Sequence, residues 1–234
     1  MAKLTLVLLP GMDGAGTLFE PFVAALAGEF DVTVVAYPPN EPLGYQELEL
    51  VARASLPASG PYVIVGESFS GPIAISLAAS GTSNLKALVL CCTFVRNPRP
   101  ALSVALPLVG ILPVTLAPVA ALSHLLLGRF STGALRSALA RSLKQVSPSV
   151  LRARLKAVLS VNVSEKLSAV RVPVLYLRAA QDRLVPPSAS ALVSALSPGT
   201  EVVELEAPHF LLQAVPVEAA RLVGAFVRRA QNAI

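Results

Sequence analysis

The hexapeptide Gly66-Glu67-Ser68-Phe69-Ser70-Gly71 lies between the apolar run Tyr62-Val63-Ile64-Val65 and the helix-like Pro72-Ile73-Ala74-Ile75-Ser76-Leu77-Ala78-Ala79. A serine on such a sharp strand-to-helix turn has its oxygen exposed at the top of a sheet, and small residues on either side keep the turn clear of its neighbours. Ser68 is therefore a candidate nucleophile. A serine hydroxyl is weak at neutral pH, so it needs a base to take its proton and an acid to orient that base. The chain has two histidines. His124 sits in the apolar Ala121-Leu122-Ser123-His124-Leu125-Leu126-Leu127, where a packed or pocket-lining role is expected. His209 follows the strand-like Glu201-Val202-Val203-Glu204-Leu205-Glu206 across a short Ala207-Pro208 link. Of the three aspartates, Asp182 comes just after the apolar run Val174-Leu175-Tyr176-Leu177, Asp13 lies in the first strand's exit loop, and Asp31 opens a strand at the opposite end. Ser68, Asp182 and His209 are thus the expected nucleophile, acid and base.

The elements that must position these residues alternate along the whole chain. Strands are expected over Leu4–Leu9, Val32–Ala36, Tyr62–Val65, Leu85–Leu90, Val174–Leu177 and Glu201–Leu205. Helices are expected over Thr17–Ala27, Tyr45–Leu56, Pro72–Ser80, Ser188–Leu196, and Leu211 to about Ala230. Continuous apolar runs bounded by turn signals read as strands buried on both faces of a parallel sheet, which makes this an α/β fold. Ligands of such sheets bind beyond the carboxyl ends of the strands. All three candidate residues fall there.

Four segments now carry a resemblance: Leu9-Pro10-Gly11-Met12-Asp13-Gly14, the serine turn, Gln181-Asp182-Arg183-Leu184-Val185-Pro186, and Ala207-Pro208-His209-Phe210. In this order the chain resembles the α/β-hydrolase superfamily, and within it the smaller capped carboxylesterases, from Leu4 to the last helix. The resemblance implies a mostly parallel sheet flanked by helices, with a core of residues 1–96 and 166–234 and a helical cap of residues 97–165 inserted before the acid-bearing strand. It places the oxyanion-stabilising backbone N–H groups on Met12 and Phe69. It further implies a serine carboxylesterase acting on short to medium acyl esters through an acyl-enzyme. The same triad serves acyl transfer and the hydrolysis of thioesters, lactones or carrier-linked methyl esters, and the plan is similar to that of pimeloyl-carrier-protein methyl ester esterases. A non-catalytic binding module of this fold would more typically lack a triad member. The chain departs from the G-x-S-x-G pattern at Ser70, whose side chain is expected to shift the turn slightly or restrict the substrate.

Composition excludes several other classes. At 234 residues the chain is long enough for one substantial core. The glycine-rich Leu9–Gly16 segment lacks the lysine and hydroxyl residue of a P-loop, and its glycines do not match a dinucleotide fingerprint. No cofactor or metal is expected. The adjacent Cys91 and Cys92 read as reduced and structural. Hydrophobic residues make up 54% of the chain, and no charge occurs from Ala101 through Gly128. Pro107, Pro113 and Pro118 interrupt that stretch, so short cap helices are expected there rather than a membrane span. Lys3 precedes only the short apolar Leu4–Leu9, which is not a secretory signal, so a cytoplasmic location is expected. Between residues 97 and 165 eight basic residues face Glu165 alone, a net +7 in a chain of net +5. A basic cap of this kind suits an acidic protein or anionic surface, or is simply a solvated face. Nucleic acid is not an expected partner, because Phe130 is the single aromatic residue of the region.

Overall fold

The computed structural model describes residues 3–101, 103, 109 and 119–232. The apolar runs form β1 (Thr5–Leu9), β2 (Asp31–Val34), β3 (Tyr62–Glu67), β4 (Leu85–Cys91), β5 (Val174–Gln181) and β6 (Glu201–Pro208). They pair, all in parallel, as one six-stranded sheet in the order β2-β1-β3-β4-β5-β6.

Because successive strand residues point to opposite faces, each continuous apolar run feeds two cores at once. Leu6, Leu8, Val63, Val65 and Val89 join the core that holds Phe22 of α1 (Glu20–Ala25) and Val223 and Val227 of α10 (Pro216–Asn232). Val7, Leu9, Ile64, Leu88 and Leu90 join the core that holds Leu48 of α2 (Tyr45–Ala54) and Ile73 and Leu77 of α3 (Gly71–Ala79).

Two expected helices differ in form. The first is a 3-10 turn, Thr17–Phe19, running into the short α1. The last is divided into α9 (Leu211–Ala214) and α10, because Pro216 offers no N–H and bars the residue before it from helical backbone. Val215 accordingly takes φ −130° and ψ 53°.

Between β4 and β5 the chain forms α4 (Val119–Leu127), α5 (Gly133–Lys144), α6 (Pro148–Ser160) and α7 (Ser164–Ala169), and α8 (Pro187–Leu196) follows β5. Side-chain oxygens cap α5 and α6: Thr132 accepts from Leu135 N–H at 3.2 Å and Ser147 from Val150 N–H at 3.4 Å. The expectation of short proline-broken helices before Val119 falls largely outside the described residues. Among the described residues no helix is long and apolar enough to cross a membrane.

Register does the rest of the positioning. Leu9 pairs with Gly66, Glu67 with Cys91, and Gln181 with Pro208. The last pairing sets Asp182 and His209 side by side, each one residue past its ladder.

Candidate active site

Ser68 has φ 48°, in the left-handed region that a non-glycine residue rarely occupies. Such a conformation costs on the order of 1–3 kcal/mol and persists only where the surroundings enforce it. Here Thr93, just past β4, donates its hydroxyl to the Ser68 carbonyl. The Tyr176 hydroxyl holds Thr93 in turn, donating to its carbonyl at 2.6 Å and accepting from its N–H at 3.2 Å. Gly71 permits this arrangement, since a Cβ there would stand 1.9 Å from Thr93 Oγ1. Phe69 is buried and stacks on Tyr45, with ring centroids 4.8 Å apart.

The three side chains singled out from the sequence meet at the carboxyl edge of the sheet. Ser68 Oγ is 2.8 Å from His209 Nε2, and His209 Nδ1 is 2.8 Å from Asp182 Oδ2. Asp182 Oδ1 accepts the N–H groups of Leu184 at 2.8 Å and Val185 at 2.9 Å, which fixes the carboxylate before it meets the ring. With Nδ1 donating to a carboxylate, Nε2 is left to accept from the serine hydroxyl. The His209 and Asp182 side chains are both buried, at 3% and 5% exposure, so little water competes for the hydrogen bond between them.

The β1 exit loop runs beside the serine. Gly14 N–H donates to Gly11 O at 3.1 Å, closing a tight turn around Met12 and Asp13. The Met12 N–H meets no acceptor among the described residues. Ser70 does not intrude on this site, contrary to expectation. It is fully buried, donates to the Pro10 carbonyl and lies 2.8 Å from the Tyr37 hydroxyl, so it braces the loop from below.

Over Ser68 and His209 lies a cavity of about 340 Å³, within the range of small-molecule sites. Its walls include Leu122 and Leu126 of α4, Leu139 and Leu143 of α5, and Leu151 and Leu155 of α6. Each pair is spaced i, i+4, so three helices each turn one leucine stripe toward the same space. A larger groove of about 660 Å³ between α2 and α6 contains none of the three candidate residues.

Glu67 and Asp13 also line the leucine cavity and were not expected there. Burial pushes the Glu67 carboxyl up to about 7, against a hydrogen bond from Gln213, with Asp13 adding to the rise and His209 opposing it. Gln213 Nε2 donates to Glu67 Oε1 at 2.9 Å. Burial likewise raises the Asp13 carboxyl, opposed by the Ala15 N–H that it accepts at 3.1 Å. The signal for Glu67 was present in the sequence as a lone charge closing an otherwise apolar strand. Among the described residues no group of three His, Cys, Asp or Glu side chains is placed to hold a metal ion.

Other expectations are corrected. His124 is exposed rather than packed or pocket-lining, and Arg183 reaches its Nε2 at 2.6 Å and its carbonyl at 2.9 Å. Of the basic residues in the insertion Arg154 is turned inward, while Arg99 and Arg129 stay exposed and are partnered. Arg154 is 1% exposed, Arg99 donates to the carbonyls of Leu184 and Arg183, and Arg129 pairs with Glu206 at 2.5 Å. Cys91 and Cys92 are free thiols, buried in the sheet core.

Residues 6–222 match the alpha/beta hydrolase family, and the chain belongs to it. A carboxylesterase structure from the ammonia-oxidizing thaumarchaeon Nitrososphaera gargenis is similar at TM-score 0.83 and 16% identity, with 99% of this chain and 92% of that one covered. The enol-lactonase of Burkholderia xenovorans LB400 is similar at TM-score 0.80 and 18% identity, over 97% and 92% of the two chains. The bromoperoxidase of Bacillus anthracis is similar at TM-score 0.81 and 16% identity, again over 97% and 92%. At such identities the likeness is one of fold, and the three different activities on one scaffold leave chemistry to be argued from the site. A comparison with curated protein sequences found no match.

Proposed function

We propose that this protein is a serine carboxylesterase for short to medium acyl esters. The observation that carries the reading is the continuous chain from Ser68 Oγ through the His209 ring to Asp182, with both links at 2.8 Å, at the foot of a leucine-lined cavity. In this reading the helical insertion, residues 97–165, acts as a cap that supplies the acyl-binding wall.

Ser68 Oγ attacks the ester carbonyl carbon while its proton passes to His209 Nε2. Asp182 holds the ring and offsets the charge it gains. The carbonyl oxygen becomes an oxyanion held by the N–H groups of Met12 and Phe69, and one well-placed donor of this kind contributes roughly 3–4 kcal/mol. Collapse breaks the bond to the alcohol, which leaves with the proton from His209. Water then attacks the acyl-enzyme by the same route, its proton going to His209 and returning to Ser68 as the acid departs. The aliphatic walls favour an unbranched hydrocarbon acyl group.

A series of p-nitrophenyl acyl esters of graded length tests the reading. Wild type should turn over the short and medium members in a burst followed by a slower steady state, and Ser68→Ala should show neither phase. Equal turnover by Ser68→Ala and wild type would remove Ser68 from the mechanism.

A further inference from the structure

Arg154 is the largest fully buried side chain of the described residues. A guanidinium out of water is costly unless its donors are met, so its position calls for a reason other than stability. From α6 it crosses to the loop after β1, where Nη1 donates to the carbonyls of Met12 at 2.8 Å and Asp13 at 2.9 Å. Nη2 donates to the Pro38 carbonyl at 3.2 Å, and the guanidinium stands 5.6 Å from the centre of the Tyr37 ring.

The same loop is held from two further sides. Tyr37 N–H donates to Gly14 O at 2.8 Å. The Ser70 hydroxyl gives its proton to Pro10 O, so the Tyr37 hydroxyl is the donor in their 2.8 Å contact. Gly14, at φ +72°, has no space for a side chain, because a Cβ would lie 2.4 Å from Arg154 Nη1.

A peptide unit is planar, so fixing a carbonyl oxygen fixes the N–H on the other side of the same bond. Gly14 fixes the Gly11 carbonyl and hence the plane of the Met12 N–H, and Arg154 fixes the Met12 carbonyl that follows. The Met12 backbone is thereby pinned on both sides. Hydrogen bonds from a charged donor are roughly twice as strong as neutral ones, so the insertion's contribution to this pinning is substantial.

We infer that Arg154 is a positioning residue, reaching from the insertion to aim the Met12 N–H at the oxygen of the reacting ester. The inference rests on the serine-hydrolase reading above. It makes the rate of the chemical step depend on the seating of α6, although no atom of Arg154 touches the reacting groups.

The test uses the full chain with Arg154→Lys and Arg154→Met. On p-nitrophenyl butyrate, kcat should fall about 10- to 100-fold in the methionine variant while KM stays within about threefold, and lysine should recover part of the loss. Affinity for 1-butaneboronic acid, whose tetrahedral adduct places an oxygen against the Met12 N–H, should fall by the same factor as kcat/KM. Amide hydrogen exchange across residues 11–15 should speed up at least tenfold in the methionine variant. Unchanged exchange in that loop, or unchanged kcat with only a lowered Tm, would overturn the inference. Should wild type and Ser68→Ala prove equally inactive on esters, the hydrolase reading falls, and the exchange measurement still decides whether the clamp exists.

Discussion

The sheet and the insertion are both rich in aliphatic residues, yet they use them differently. In β3 every residue from Tyr62 to Glu67 is buried, and the side chains of Val63, Ile64 and Val65 are covered by helices on alternate faces. In α6 only Val150, Arg154 and Leu159 are buried, while Leu151 and Leu155 are half-covered and border the cavity. Hydrophobicity in the sheet is satisfied by neighbours in the chain. In the insertion part of it is left facing an open space, which is what a ligand with a hydrocarbon tail requires. Spacing alone does not separate the two kinds of residue, since Ile73 and Leu77 of α3 and Val223 and Val227 of α10 are also i, i+4 pairs yet lie in the core, whereas the stripes of α4, α5 and α6 border a cavity.

Variants can break that contrast or sharpen it. The largest effect is expected at the junction of the two regions, where Ser68→Ala should lower kcat by about 10⁴-fold or more with little change in Tm, read by ester hydrolysis and thermal melting. In the sheet, Ile64→Ala should destabilise by about 2–5 kcal/mol in urea unfolding, with activity per folded molecule unchanged, because Ile64 is wholly buried away from the cavity.

Glu67 joins the two regions and should respond to pH. Its carboxyl sits at about 7 in the folded chain, above the ordinary value of 4.5, so the folded protein binds more protons than the unfolded one between those values. Stability from this group is present at low pH and is lost as pH rises through 7. Glu67→Gln, which cannot ionise, should exceed wild type in unfolding free energy by up to about 3 kcal/mol at pH 8, a gap that closes by pH 4. An equal gap at both pH values would assign the effect to packing instead.

The smallest effect on stability is expected in the insertion. Leu155→Ala should cost less than about 1 kcal/mol, since the residue is only half-covered, but should move the preferred acyl chain to a longer one on the graded ester series. A stability loss like that of Ile64→Ala, with the chain-length profile unmoved, would place Leu155 in the core.

Much of the architecture was legible because strand signals are local. The apolar runs that became β1, β3, β4 and β5 needed only their own residues to be read, and the residue after each run's end marked the site's edge of the sheet. Asp182 and His209 were legible for the same reason, each lying just past a strand. Arg154 was not. By spacing it belongs with Arg152 and Lys156 on a charged helix, and only contacts 141 and 142 residues away in sequence turn it inward. Ser70 was misread for a related reason. Its partners, Pro10 and Tyr37, lie 60 and 33 residues distant, so the local motif showed an intruding side chain where the fold has a brace. The break at Val215 was readable from Pro216, but the helical pattern on both sides of it masked the stop.

The pairing of β4 with β5, four residues long from Leu88 and Val174 to Cys91 and Leu177, has a practical consequence. It is the seam between a front half bearing Ser68 and the proposed oxyanion donors and a rear half bearing His209 and Asp182. Severed within the insertion, the chain would yield two fragments with complementary defects, each inert alone. If the proposed ester hydrolysis holds, their reassociation along that short seam would switch it on, which gives the molecule the makings of a two-piece reporter of proximity.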